Sequence, residues 1–436
     1  MNLTRSAILL AALVILSACA KGEVILTGER IDLRPDQTGE PDKPVDASRA
    51  IKLSPQVVNT SWTHAYGGPR HRIQHLALGT TLTPVWSADI GEGNGRKHRI
   101  TADPVAADGR IFTLDSRALV TATSASGARL WQADLTPATD NSDDASGGGL
   151  AIVGGRVYVA SGFGELVSLD AATGATVWVQ KLDAAAAGTP TVVDGLVYVV
   201  SRDNRGWAID VDTGRVKWEV SGIPSESGVA GGAGPAVTDS MAIFPFGSGE
   251  MAGVFRKGGL RLWSATLSGQ RRGLAYTGVT DITADPVVVG DTTYAASPSG
   301  RLVAIGTSTG ERLWTAQVGA YSAVWPEGDS LFLVTEQDKL ERLDAKTGAT
   351  IWSKKLPYFA DARLKRRKSI YAHYGPIMAG GRLLVASDDN LIRAFSPTDG
   401  SLLGTVALPS GATANPIVVN RTLYIVTSNG QLQAFR

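Results

Sequence analysis

The 436-residue chain has a single cysteine. One thiol excludes a disulfide framework, a cysteine-built zinc site and an iron–sulfur cluster. An excess of charge of either sign is also missing, since 42 Lys and Arg stand against 41 Asp and Glu. With no net field to draw phosphates, nucleic acid is excluded as a partner. The apolar run from Ala7 to Leu16 has ten residues, well short of the ~20 that cross a bilayer as a helix. No stretch shows sustained helical periodicity. Glycine is what the chain has in quantity, 50 residues, and these lack the three-residue period of collagen.

Arg5 precedes the apolar run and Leu16-Ser17-Ala18-Cys19 follows it. A basic start, a short apolar stretch and small residues before a thiol read as a signal peptide, residues 1–18, cleaved before Cys19. The segment resembles a bacterial lipobox, which implies a diacylglycerol on the Cys19 thiol. By the same resemblance, Ala20 in place of an aspartate implies retention in the outer membrane. Residues 19–50 carry Pro35, Pro41 and Pro44 among Asp, Glu and Gly, the composition of a flexible tether. Residues 51–82 form an N-terminal extension ahead of a repetitive region, 83–436.

The repeat is the strongest signal. Gly154-Gly155, Tyr158, Asp170, Thr173-Gly174 and Trp178 recur as Gly195, Tyr198, Asp210, Thr213-Gly214 and Trp218, and again as Gly290, Tyr294, Thr309-Gly310 and Trp314. Further copies hold Asp344, Thr347-Gly348 and Trp352, then Asp399-Gly400 with Leu403 in the tryptophan's place. Each unit has short β-branched and aromatic runs between turns, which predicts a four-stranded antiparallel meander. In Asp-x-x-Thr-Gly the carboxylate accepts backbone N–H bonds and the glycine takes positive φ. One such sheet cannot bury both faces, so units of ~40–50 residues stack into a propeller. The last copy stops after three strands, and Pro84-Val85-Trp86 is a fourth strand with no preceding three. The expectation is an all-β fold, a single eight-bladed β-propeller closed by an N-terminal strand that completes the C-terminal blade.

The blades resemble the pyrroloquinoline-quinone-type repeat, and lipobox, tether and eight-bladed ring together resemble the BamB family. Its most specific stretch runs from Gly231 through Phe246-Gly247-Ser248-Gly249 and Trp263 to Asp281-Ile-Thr-Ala-Asp285-Pro286. The resemblance implies a non-enzymatic outer-membrane lipoprotein of the β-barrel assembly machinery, the Bam complex, facing the periplasm. It implies binding to the POTRA domains of BamA through two loops on one rim, here Ser221–Gly234 and Ser268–Asp285. Asp281 matches an acidic residue of the second loop, and Thr283 stands at its next acidic position. Val229 and Ala230 stand where the first loop of other members carries leucines and an arginine. Arg271 and Arg272 can supply charge-assisted hydrogen bonds from a different position. A further expectation is that an exposed blade edge takes up unfolded outer-membrane proteins by strand addition.

Three other readings are open to the residues. A quinone-dependent dehydrogenase needs an axial cofactor cavity and a calcium ion held by oxygens. Asp170, Asp210 and Asp344 sit in repeated turns that account for them, and the adjacent cysteine pair of such enzymes is absent, so no cofactor is expected. A metal site on His71 and His75, with His64 nearby, lacks a helical pattern; a loop packed at the propeller rim is expected instead. A general envelope scaffold or glycan-binding propeller would use aromatic platforms, for which Trp207 and Trp325 are the candidates outside the repeat's register. The run Arg363-Leu-Lys365-Arg366-Arg367-Lys368 is either a solvated insertion or a contact for an anionic surface.

Overall fold

Residues 46–225, 231–267, 279–361 and 363–436 are described by a computed structural model. Cys19 and nearly all of the expected tether lie outside the described residues. The β-branched runs pair as eight four-stranded antiparallel sheets. Blade three shows the pattern: β10 (Thr191–Val193), β11 (Leu196–Ser201), β12 (Arg205–Asp210) and β13 (Val216–Ser221) follow one another from the axis outward. D–A connectors and B–C turns therefore share one face of the ring, and A–B and C–D turns share the other, the four strands of a blade being A to D. Blade eight joins β30 (Ile417–Val419), β31 (Thr422–Thr427) and β32 (Gln431–Phe435) to β1 (Pro84–Asp89). Trp86 faces Ala434 across that seam, and Thr83 and Arg436 exchange backbone hydrogen bonds at 2.6 and 2.9 Å. The closure read from the sequence is the closure of the structure.

The recurring turn binds one blade to the next. Asp170 Oδ1 accepts from the Thr173 N–H and hydroxyl, each at 2.8 Å, and Gly174 adopts φ +77°. In the copy at Asp210 the same bonds and Lys217 push the carboxyl down to about 2. The fourth-strand tryptophan of the preceding blade lies on this turn. Trp178 Nε1 donates to the Val211 carbonyl at 2.8 Å, and a Cβ on Gly214 would come within 2.7 Å of the indole. Seven tryptophans pack on seven such turn glycines in this way. The repeat thus specifies the joint between blades as well as the blade. Gly310→Ala, where a Cβ would meet Trp263 at 2.5 Å with φ at +73°, is expected to cost about 3 kcal/mol from left-handed strain plus overpacking. Gly195→Ala has φ +81° and open space, so it should cost only about 1 kcal/mol; urea denaturation of both variants separates packing from strain.

Blade seven corrects the reading of Leu403. In every other blade the residue paired just before the outer-strand bulge is tryptophan, as with Ala208 and Trp218. In blade seven that partner is Gly404, facing Ala394, and Leu403 is the bulged residue itself. Blade eight has no C–D turn, because its fourth strand arrives from the N-terminal side. A tryptophan there would have no turn to cover.

The extension is more than a rim loop. Residues 46–82 run across the axis as a strap that bonds to all eight blades near their A–B turns. Trp62 exchanges backbone bonds with Ala106, and the carbonyls of Thr63, Pro69 and Arg70 accept from Ile152, Val237 and Val288 at 2.7–3.0 Å. Val192 N–H donates to His64 Nε2 at 3.0 Å and Ser54 N–H to Glu327 at 2.6 Å. Leu76 donates to Met378 and Asn420 to Asn59, at 3.1 and 2.7 Å. First strands line the axis with one edge unpaired, and the strap supplies partners for it. The last residues assigned to the tether are docked as well. Asp46 bridges to Trp352, and Arg49 forms ion pairs with Asp329 and Asp344. The wholly buried Arg342 donates to the carbonyls of Arg49 and Ala50 from beneath.

Candidate docking face

The two loops singled out in the sequence meet on the D–A/B–C face, between blades three, four and five. They are bonded to each other: Gly234 N–H donates to Asp285 Oδ1 at 2.6 Å and Ala233 N–H to the Ile282 carbonyl at 3.4 Å. Asp281 and Thr283 belong to this junction, and both are buried, 6% and 8% exposed. Asp281 lines a recess of about 20 Å³ with Arg202, Asn204 and Gly247 from the B–C turns of blades three and four. Val229, Arg271 and Arg272 lie outside the described residues.

Three residues that sequence reasoning missed build the entry to the first loop. Ile223 N–H donates to Glu250 Oε2 at 2.8 Å, and Asn204 Nδ2 donates to the Ile223 carbonyl at 3.0 Å. Both backbone groups of Ile223 are therefore fixed by buried side chains while its own side chain is 56% exposed. Glu250 is held in turn by Arg261 at 3.0 Å and by Ser264. Asn204 also accepts from Gly247 N–H at 2.8 Å from a left-handed φ of +60°. An asparagine in a turn is ordinary in sequence, and nothing local marks it as a brace between blades.

The centre of the ring is polar. Asp103, Asp285 and Asn415 each precede the proline that opens a first strand, and those positions converge on the axis. Asn415 donates to Asp103 from its backbone at 2.7 Å and from its amide at 3.0 Å. Tyr66 reaches in from the strap and accepts from Ala323 N–H at 2.9 Å. Asp103 and Asp285 keep a little accessible surface but are ringed by protein. Desolvation pushes each carboxyl up to about 7, against the hydrogen bonds that favour the charge.

The histidines are strap residues rather than a rim loop or a metal set. His64 Nε2 lies 3.0 Å from the Val192 N–H and 3.2 Å from its carbonyl, and burial lowers His64 to about 3 against the backbone bond to Val192. His71 Nδ1 donates to the Pro286 carbonyl at 2.9 Å, and burial lowers it to about 4. His75 donates to Ser54 and accepts from Gly381. Trp207 and Trp325, the candidate glycan platforms, are both core residues. The basic residues Arg363, Lys365, Arg366, Arg367 and Lys368 are exposed on the D–A/B–C face between blades six and seven, with Arg367 stacked 4.7 Å over Phe359.

Strap, axis and repeat joints define the class: an eight-bladed propeller of four-stranded antiparallel blades, with its D–A loops presented at one face. Residues 116–354 and 363–436 match the family model described as outer membrane protein assembly factor BamB. The chain belongs to the BamB family. Similar proteins include the BamB of Salmonella typhimurium, 29% identical over 81% of this chain and 88% of that protein. That of Escherichia coli is 27% identical over 80% and 88%. The crystal structure of BamB from Moraxella catarrhalis superposes with a TM-score of 0.67 at 18% identity, covering 82% of this chain and 100% of that one. A quinohemoprotein alcohol dehydrogenase from Comamonas testosteroni gives 0.64 at 16% identity over 86% and 80%, a likeness of fold alone.

Proposed function

We propose that the protein is the non-enzymatic outer-membrane lipoprotein subunit of the β-barrel assembly machinery, a scaffold that docks the POTRA domains of BamA. The observation that carries this reading is the bonded pair of loops. The described ends of these loops, 231–234 and 279–285, some fifty residues apart in sequence, are joined through Gly234 and Asp285. Loops on a rigid scaffold are where binding concentrates, and relatives covering most of this chain carry the name of an assembly factor. Acylation of Cys19 would confine the propeller to the periplasmic side of the outer membrane and raise its effective concentration near membrane partners. Ile223, with its backbone fixed on both sides, would supply a pre-organised apolar contact at the edge of the docking surface.

The test is affinity capture from mildly solubilised envelopes. A POTRA-bearing barrel protein should accompany the wild-type chain and be lost when 221–234 and 268–285 are exchanged for unrelated loops of equal length. A folded wild-type chain that captures no such protein would overturn the reading.

A further inference from the structure

The outer strands of the eight blades are not equivalent. Among the described residues seven present an unpaired edge and that of blade six is bridged at Trp352 by Asp46; folded proteins protect such edges with charge, bulges or a cover. All eight carry a bulge. Seven also carry at least one charged residue and the tryptophan that packs on the next blade. The exception is β29 (Leu402–Ala407) of blade seven, Leu-Leu-Gly-Thr-Val-Ala, which has neither. Leu402 and Leu403 are 55% and 59% exposed, and a Cβ on Gly404 would meet nothing within 4 Å. The cause is the ring closure. Blade eight lacks a C–D turn, so blade seven lacks its tryptophan, and the flank that an indole fills elsewhere stays open. The surrounding chain offers no charge either: residues 400–420, Gly400 to Asn420, contain none.

From the uncharged edge and the open flank at Gly404, we infer that β29 is a strand-addition site for an extended, uncharged, amphipathic polypeptide segment, the form a barrel strand has before it folds. Main-chain groups of β29 would pair with the segment, and the exposed leucines with the space beside Gly404 would receive its apolar side chains. An edge free of charge suits an apolar strand as a charged edge does not. The occupant's identity as a barrel strand rests on the assembly reading above; the site itself does not.

The probe is a fluorescent synthetic peptide of about ten residues with alternating apolar and polar side chains, the length of a membrane β-strand. It should bind the wild-type chain, and the double variant Leu402→Lys/Leu403→Lys should bind at least about tenfold more weakly, a change of ~1.4 kcal/mol. Both positions are more than half exposed, so the variant should melt like the wild type. Leu313→Lys, at a 53% exposed position on the outer strand of blade five, should leave binding unchanged. Equal binding by the double variant, equal loss in Leu313→Lys, or no binding by the wild type would overturn the inference. So would a concentration-dependent dimer that the double variant abolishes, which would assign the edge to a second copy of the chain. The double variant should still capture the POTRA-bearing partner, and the loop-exchanged chain should still bind peptide. Failure of the docking reading and failure of this one therefore give different results.

Discussion

Trp62→Ala should lower the stability of the whole propeller by about 3–5 kcal/mol, the range for a buried aromatic truncated in a core. Trp62 is among the largest fully buried side chains and sits in the main core cluster with Leu76, Ile111 and Trp325. Its backbone holds the inner strand of blade one through two hydrogen bonds, 2.6 and 2.8 Å. Because the strap bonds to every blade, the loss should appear as one shifted urea transition with its slope retained. A separate early transition, or a loss under about 1 kcal/mol, would show that the strap lies on the ring without stabilising it. Amide exchange gives the residue-level check. The Leu76 and Ala77 N–H groups, bonded to Met378 and Val57, should exchange together with propeller amides in the wild type and much sooner in the variant.

Asp103→Asn should make the protein more stable at pH 8 and leave it unchanged near pH 4. The folded chain keeps the Asp103 proton up to about 7, whereas the unfolded chain releases it near 3.8. Between those values the folded state binds more protons, so stability falls as pH rises and levels off above 7. Full burial would make this about 4 kcal/mol from the shift at ~1.36 kcal/mol per unit. The residual surface of Asp103 reduces the expected gain to about 2–3 kcal/mol. Asparagine keeps an oxygen to accept from Asn415 and has no proton to lose. The two strap histidines act with the opposite sign. His64 and His71 titrate near 6.5 when unfolded and far lower when folded, so their contribution is complete above 6.5 and lost as pH falls. Between about pH 5 and 6.5 these histidines offset part of the fall that Asp103, Asp285 and Asp338, each pushed up to about 7, impose as pH rises. Asp103→Asn should flatten the profile in that window. Urea midpoints at pH 4, 6 and 8 for both chains settle the sign, and a variant gain that is constant with pH would remove Asp103 from the titration.

Much of this architecture was legible in one dimension because it repeats. The Asp-x-x-Thr-Gly turn and the tryptophan after it are local in sequence, and each copy corroborates the others. Blade number, the four-strand meander and the closing strand at Pro84 all follow from counting. Register within blade seven was misread by one residue, because the position four after the turn glycine, tryptophan in the other copies, is Gly404, and the leucine beside it looked like the apolar replacement. The segments 221–234 and 268–285 were legible as loops, and Asp281 and Thr283 as members of one. Their burial was not, nor was the brace that Glu250 and Asn204 form around Ile223.

Repetition and local turn chemistry, then, were enough to set the fold class and the closure, while the loops to watch came from the family resemblance. Three things depended on the closed ring. The strap had no sequence signature, because residues 46–82 bond mainly to eight separate blades and only locally to each other, as at Val57 and Leu76. The axial pair Asp103 and Asp285 meets only because prolines 182 residues apart open strands that face the same channel. The open edge at β29 follows from a turn that blade eight does not have, and a missing neighbour leaves no mark in the strand that misses it. Local propensity is written residue by residue, whereas burial, pKa and edge protection belong to neighbours that only the ring brings together.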